Sequence, residues 1–183
     1  EPRRRNILFV AGQFPNPVHG GGVRVADFIR LLSEHNAVHL YAMYTPEDQV
    51  ALEAIRPFCA RVAAVPYTQF EHSAEQALAF VGDVPIDIVH YEWPRSLTVY
   101  DRRLGARHLF TYMEAVSLRL RRDLDGHSPL SPAWTRTFAE LVGALGTELH
   151  ETGAMDGRIV VTRQDGEFLA GLSPRADYAI MNH

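Results

Sequence analysis

The order of apolar and polar runs in this chain predicts a three-layer α/β sandwich around a central, mainly parallel sheet of about seven strands. Short β-rich runs alternate with longer segments of helical period, which is the signature of β-α-β units. The first run, Asn6-Ile7-Leu8-Phe9-Val10-Ala11, is continuously apolar and must be covered on both faces, as the central strand of a doubly wound sheet is. With 46% hydrophobic residues in 183, the chain has enough apolar surface for the core of a single domain spanning residues 1–183.

The elements follow in order. After a loop rich in Gly and Pro, a helix from Val23 to about Glu34 places Val25, Phe28, Ile29 and Leu32 on one stripe. Val38 to Met43 reads as the second strand. The next helix is opened by Thr45-Pro46-Glu47-Asp48, which supplies a cap residue, a proline at the first position and acids in the first turn. Arg61 to Val65 is the third strand, Ser73 to Val81 a helix, Ile86 to Tyr91 the fourth strand and His108 to Tyr112 the fifth. Leu118, Leu120 and Leu124 have partly helical spacing before Gly126, Pro129 and Pro132 break it, so a helix is expected to run into a mobile loop. A long amphipathic helix is expected from about Ala133 to Glu151, burying Trp134, Phe138, Leu141, Leu145 and Leu149. Arg158 to Thr162, a short helix around Gln164 to Ala170, and Tyr178 to Met181 complete a Rossmann-like series.

Composition excludes several classes of function. All 18 basic residues are arginine, so Schiff-base chemistry, pyridoxal-phosphate attachment and a P-loop lysine are ruled out. A net charge of −4 argues against a broad contact with nucleic acid. The single cysteine, Cys59, forbids an internal disulfide and suits a reducing, cytoplasmic setting, where it reads as a small buried hydrophobe. No apolar run approaches the roughly 20 residues of a membrane helix. No Cys/His spacing suits zinc, and Asp123-Leu124-Asp125 trails an arginine-rich segment instead of closing a strand, so no metal is expected.

Ligands of an open parallel sheet gather beyond the carboxyl ends of its strands, which singles out three segments. In the first, Gly20, Gly21 and Gly22 precede a helix whose free amides favour an anion, so a donor phosphate is expected there. Gly-x-Gly-x-x-Gly is absent, and so is a clear acid closing the second strand, which argues against a NAD site. The second segment ends a strand with His90, Glu92 and Trp93, a carboxylate beside a flat stacking surface suited to a sugar; a core imidazole and simple packing are the plain alternatives. The third holds Tyr112 and Glu114, followed by Arg119, Arg121 and Arg122. Glu114 there is a candidate proton acceptor, and the arginines are candidates for an anionic acceptor, with a solvated ion-pair face as the alternative.

Taken together, Ile7-Leu8-Phe9-Val10, Phe14-Pro15, Pro17, Gly20-Gly21-Gly22 and Arg30-Leu31-Leu32 resemble the opening of the retaining GT-B glycosyltransferases called GT4 or group 1. Asp87-Ile88-Val89-His90, Ser117-Leu118-Arg119, Asp156 to Thr162 and Tyr178-Ala179-Ile180-Met181-Asn182 resemble later landmarks of that family, with Met113-Glu114 where its members often carry His-Asp. The resemblance implies the amino-terminal, acceptor-side half of an enzyme moving a sugar from a nucleotide-diphosphate sugar to a hydroxyl acceptor. It also implies a donor-binding carboxyl-terminal domain outside these residues and no cofactor beyond the donor substrate. In that frame Gly20 to Gly22 face the phosphates. His90, Glu92, Trp93, Tyr112, Arg119 and Arg122 face the acceptor or sugar, and Glu114 keeps the acidic catalytic role. Partners would be a glycan, lipid-linked or small-molecule acceptor, with peripheral membrane contact through the arginine cluster and no nucleic acid. A non-hydrolysing nucleotide-sugar epimerase and a non-catalytic binding module of the same fold are the alternatives.

Overall fold

In the computed structural model, which describes residues 3–173 and 177–181, seven strands lie in one sheet in the order β3-β2-β1-β4-β5-β6-β7. They are β1 (Asn6–Ala11), β2 (Ala37–Tyr44), β3 (Arg61–Pro66), β4 (Ile88–Glu92), β5 (Arg107–Tyr112), β6 (Gly157–Val160) and β7 (Tyr178–Ile180). The helices are α1 (Gly20–Ser33), α2 (Gln49–Ile55), α3 (Tyr67–Phe70), α4 (Ala74–Val81), α5 (Val116–Asp125), α6 (Pro132–Gly146) and α7 (Arg163–Leu172). The Rossmann-like, mainly parallel sheet expected from the sequence is therefore present. The chain divides into two compact units, Glu1–Leu109 and Phe110–His183.

In the first unit β1 pairs in parallel with β2 on one side, Phe9 opposite Leu40, and with β4 on the other, Phe9 opposite His90. β2 in turn pairs in parallel with β3. The period of two along each strand sorts side chains onto two faces. Ile7, Phe9 and Ala11 pack with Val38, Leu40 and Ala42 against Val25, Ala26 and Ile29 of α1 and Leu52 and Ile55 of α2. On the other face Tyr41 packs on Phe70 and Phe80, and Tyr91 on Tyr100 and His108. Burial on both faces is what the unbroken apolar run of β1 demands.

The second unit departs from expectation at α6. Phe138 is 44% exposed and Leu149 43% exposed, while Thr137 and Glu148 are the buried residues of this stretch. Thr137 and Glu148 lie about three helical turns apart and share a face one residue round from the expected stripe, and a π-helical turn at Thr147–Glu151 ends the helix. The helix expected after Glu114 is α5, ending at Asp125. β6 and β7 pair in parallel, Ile159 opposite Ala179. Asn182, which the family resemblance placed at a hinge, lies outside the described residues.

Candidate functional site

The loop from β1 to α1 is shaped by glycines that packing requires. At Gly12 a Cβ would come within 2.7 Å of the Ser96 amide nitrogen, and its own N–H donates to Glu92 O at 2.9 Å, so only glycine lets this loop close on the end of β4. At Gly22 a Cβ would meet Asn16 O at 2.0 Å, so the first turn of α1 rests directly on the loop backbone. Asn16 is buried. Its side chain donates to Asp48 Oδ1 at 2.9 Å and accepts from the Val18 N–H at 3.1 Å, while Asp48 Oδ2 takes the Thr45 N–H and hydroxyl at 2.9 Å each. The Asp48 carboxylate is thereby committed to holding the loop.

Gly20 to Gly22 form the first turn of α1 itself and are not a loop ahead of it. The first i→i−4 bond runs from the Val23 N–H to His19 O at 3.0 Å, so the amides of residues 20–22 lie ahead of the ladder, where a helix has unmatched donors. His19, the N-cap, offers them no side-chain acceptor. Gly20 is exposed, with nothing within 4 Å of its Cβ position.

One turn into α1 is a side chain that sequence reasoning missed. Arg24 extends to Glu92 at the end of β4, Nη2 to Oε2 at 2.5 Å, and His90 Nε2 lies 3.3 Å from the other carboxylate oxygen. Glu92 and His90 are buried, and the His90 ring stacks on Phe9 at 4.9 Å and meets Phe28 edge-on at 5.4 Å. Burial, and after it the Arg24 charge, pushes the imidazole down to about 3, so His90 is neutral. Its plain alternative, a core imidazole, holds, and Glu92 is a structural counter-ion with no surface for an acceptor hydroxyl. The signal for Arg24 was its place four residues before Phe28, on the face of α1 that packs inward.

Trp93 is half-buried beside the core cluster, with backbone φ 64° and ψ 144°, a conformation sparsely populated outside glycine. Its carbonyl holds the turn that follows, accepting the Ser96 N–H at 2.9 Å and hydroxyl at 2.7 Å.

Tyr112, Glu114, Arg119 and Arg122 belong to the second unit. Tyr112 is buried, donating to Glu148 O at 3.5 Å and packing edge-on to Phe110, so it too lacks a face for an acceptor. Glu114 and Arg119 pair with each other at 3.2 Å, half exposed, and Arg119 reaches Asp123 at 3.4 Å; this is the solvated ion-pair face named as the alternative. Arg122 is exposed in the last turn of α5. Two carboxylates meet the first turn of that helix. Glu148 accepts the Ser117 N–H at 3.2 Å and a short bond from the Ser117 hydroxyl, and Asp165 accepts the Ala115 N–H at 3.1 Å. Among the described residues no group of three or more His, Cys, Asp or Glu is placed to hold a metal ion, and no helix is long and apolar enough to cross a membrane.

No protein-family model matches the chain, and no curated protein does. A solved structure to which it is similar is a 3-oxoacyl-[acyl-carrier protein] reductase from Brucella melitensis, at 16% identity and a TM-score of 0.44, over 97% of this chain and 85% of that one. The glycosyltransferase reading, with its GT4 or group 1 assignment, is therefore corrected: the similar structure is a reductase and no glycosyltransferase model matches. The roles drawn from it go too, among them sugar-transfer catalysis by Glu114 and the epimerase alternative. At that score the likeness carries no reductase activity to this chain.

Proposed function

We propose that this chain is a binding domain for a phosphate-bearing ligand of the nucleotide kind, seated in the crevice outside the carboxyl ends of β1 and β4. The observation behind the reading is the strand order. From β1 the sheet grows through β2 to β3 on one side and to β4 on the other, and ligands of open α/β sheets collect where the connections diverge. α1 opens at that point, and its free first-turn donors and dipole favour an anion.

Each residue has a distinct part in this reading. The amides of Gly20 and Gly21 face the phosphate, and Gly22 lets the turn sit on Asn16. Arg24, Glu92 and His90 fasten α1 to β4 and so fix where those amides point. Trp93, half-buried against the core cluster, follows Glu92 at the end of β4. A cytoplasmic setting belongs to the same proposal, supported by the free thiol of Cys59, which burial pushes up to about 12 and keeps unreactive. Small anionic molecules, not nucleic acid, are its partners, in keeping with the net charge of −4.

The test is Gly20→Pro. Proline removes one N–H yet is favoured at the first helical position, and His19, at φ −113° and ψ 135°, already has the extended conformation that a residue before proline needs. With ADP titrated into the chain and amide resonances followed by NMR, residues 20–22 should shift saturably. Gly20→Pro should weaken binding about tenfold or more, the value of a hydrogen bond to a charged group, while Gly20→Ala binds as the parent does. Unmoved amides, or equal affinity in Gly20→Pro, would overturn the reading.

A further inference from the structure

We propose a second anion site, independent of the first, on the opposite rim of the same unit, for a small ligand carrying two or more phosphate-type charges. A cavity of about 450 Å³ opens at the amino ends of β1, β4 and β5, lined by Arg3, Arg5, Asp87, Ile88, Ala106 and Arg107. Nothing in the proposed function uses it.

The charge balance there is lopsided. Three arginines line the cavity with one acidic residue, and its carboxylate is engaged: Asp87 Oδ2 accepts the Asn6 N–H at 2.8 Å, and Oδ1 lies 3.7 Å from Arg3, whose side chain is 82% exposed. Among the described residues no carboxylate pairs with Arg5 or Arg107. A chain with a net charge of −4 has thus gathered like charges around one hollow, where they repel one another until an anion enters.

The backbone presents the arginines in a fixed way. Arg5 is anchored on both sides, its N–H donating to Asn36 Oδ1 at 3.3 Å and its carbonyl accepting the Ala37 N–H at 2.9 Å. Arg3 and Arg5 fall on one side of the leading segment, whereas Arg4 lines a separate, smaller cavity with Phe58 and Cys59, as the two-residue period of extended chain requires. Planar guanidinium forks match phosphate oxygens two at a time, and the volume lies within the range of about 300–1,000 Å³ typical of small-molecule sites. A diphosphate group is the simplest ligand to satisfy both Arg5 and Arg107.

Inorganic pyrophosphate titrated into the chain, followed through backbone amides and arginine Nε–H resonances, tests the site. Arg5, Ala106 and Arg107 should shift saturably, and the shifts should reverse in high salt. Arg5→Gln and Arg107→Gln, both on the surface, should leave the melting temperature unchanged and each weaken binding about tenfold. Arg107→Lys should recover part of the loss, and any titration of residues 20–22 should be untouched by all three, which separates this site from the first. Vesicles of phosphatidylcholine carrying a phosphatidylinositol bisphosphate form the second arm. Vesicle binding stronger than pyrophosphate binding, and lost in the double Gln variant, assigns the phosphate to a lipid headgroup. No saturable shift, or a double variant that binds both probes as the parent does, would overturn the proposal.

Discussion

Each unit buries a carboxylate, and the two solve the resulting problem differently. Glu92 is neutralised by a guanidinium, with a neutral imidazole on its other oxygen. Glu148 is met by the Ser117 hydroxyl and the Ser117 N–H at the start of α5. The electrostatics follow. Arg24 compensates the charge of Glu92 and, with burial, keeps His90 neutral, whereas burial raises Glu148 above the ordinary carboxylate range, with Asp165 adding to the rise. A paired charge locks two elements together, while a carboxyl raised by burial remains sensitive to pH.

The largest break in that comparison is Arg24→Met. It leaves the Glu92 carboxylate buried beside a neutral ring, and losing one partner of a buried pair costs about 3–5 kcal/mol. Urea denaturation should show that loss, with an unchanged slope. If Arg24→Met unfolds at the parent's midpoint, the pair does not hold α1 to β4.

His90 sharpens the same contrast through pH. Its folded value near 3 lies below the ordinary 6.5, so the unfolded chain takes up a proton that the folded chain refuses. Stability from this residue is present above about 6.5 and is lost as pH falls toward 3. His90→Phe keeps an aromatic ring against Phe9 and Phe28 and removes the titration. The stability difference between variant and parent should therefore shift in the variant's favour as pH drops through that window. A difference that does not change with pH would show that His90 does not resist protonation.

Much of this fold was legible in the sequence, because a doubly covered strand cannot hide its apolar run: β1 begins and ends where the run from Asn6 to Ala11 does. The phase of α6 was not legible, since spacing reports an apolar stripe but not which face the fold buries, and the buried face carries Thr137 and Glu148. At the site, His90 and Glu92 were visible as chemistry-bearing types, but their partner comes from 68 residues away, and no local pattern predicts that meeting. As to family, the glycine-rich loop misled for a related reason. Gly12 and Gly22 are demanded by backbone contacts with Ser96 and Asn16, so the motif reports how a first β-α turn packs before it reports any particular chemistry.

The smallest expected effect is at Glu148, and it tests the other half of the comparison. Because its folded value is raised, the folded chain holds a proton at pH values where the unfolded chain has released it. Stability contributed here is therefore full below about 4.5 and is lost as pH rises through the raised value. Glu148→Gln keeps an acceptor for the Ser117 N–H and hydroxyl without the charge, giving up a charge–dipole interaction of about 0.3–1 kcal/mol while avoiding the cost of burying an anion. The variant should track the parent within about 1 kcal/mol and gain on it as pH rises above 4.5, opposite in direction to His90→Phe. Parallel pH profiles for Glu148→Gln and the parent would mean that the α5 amides and the Ser117 hydroxyl compensate the Glu148 charge as fully as Arg24 compensates that of Glu92.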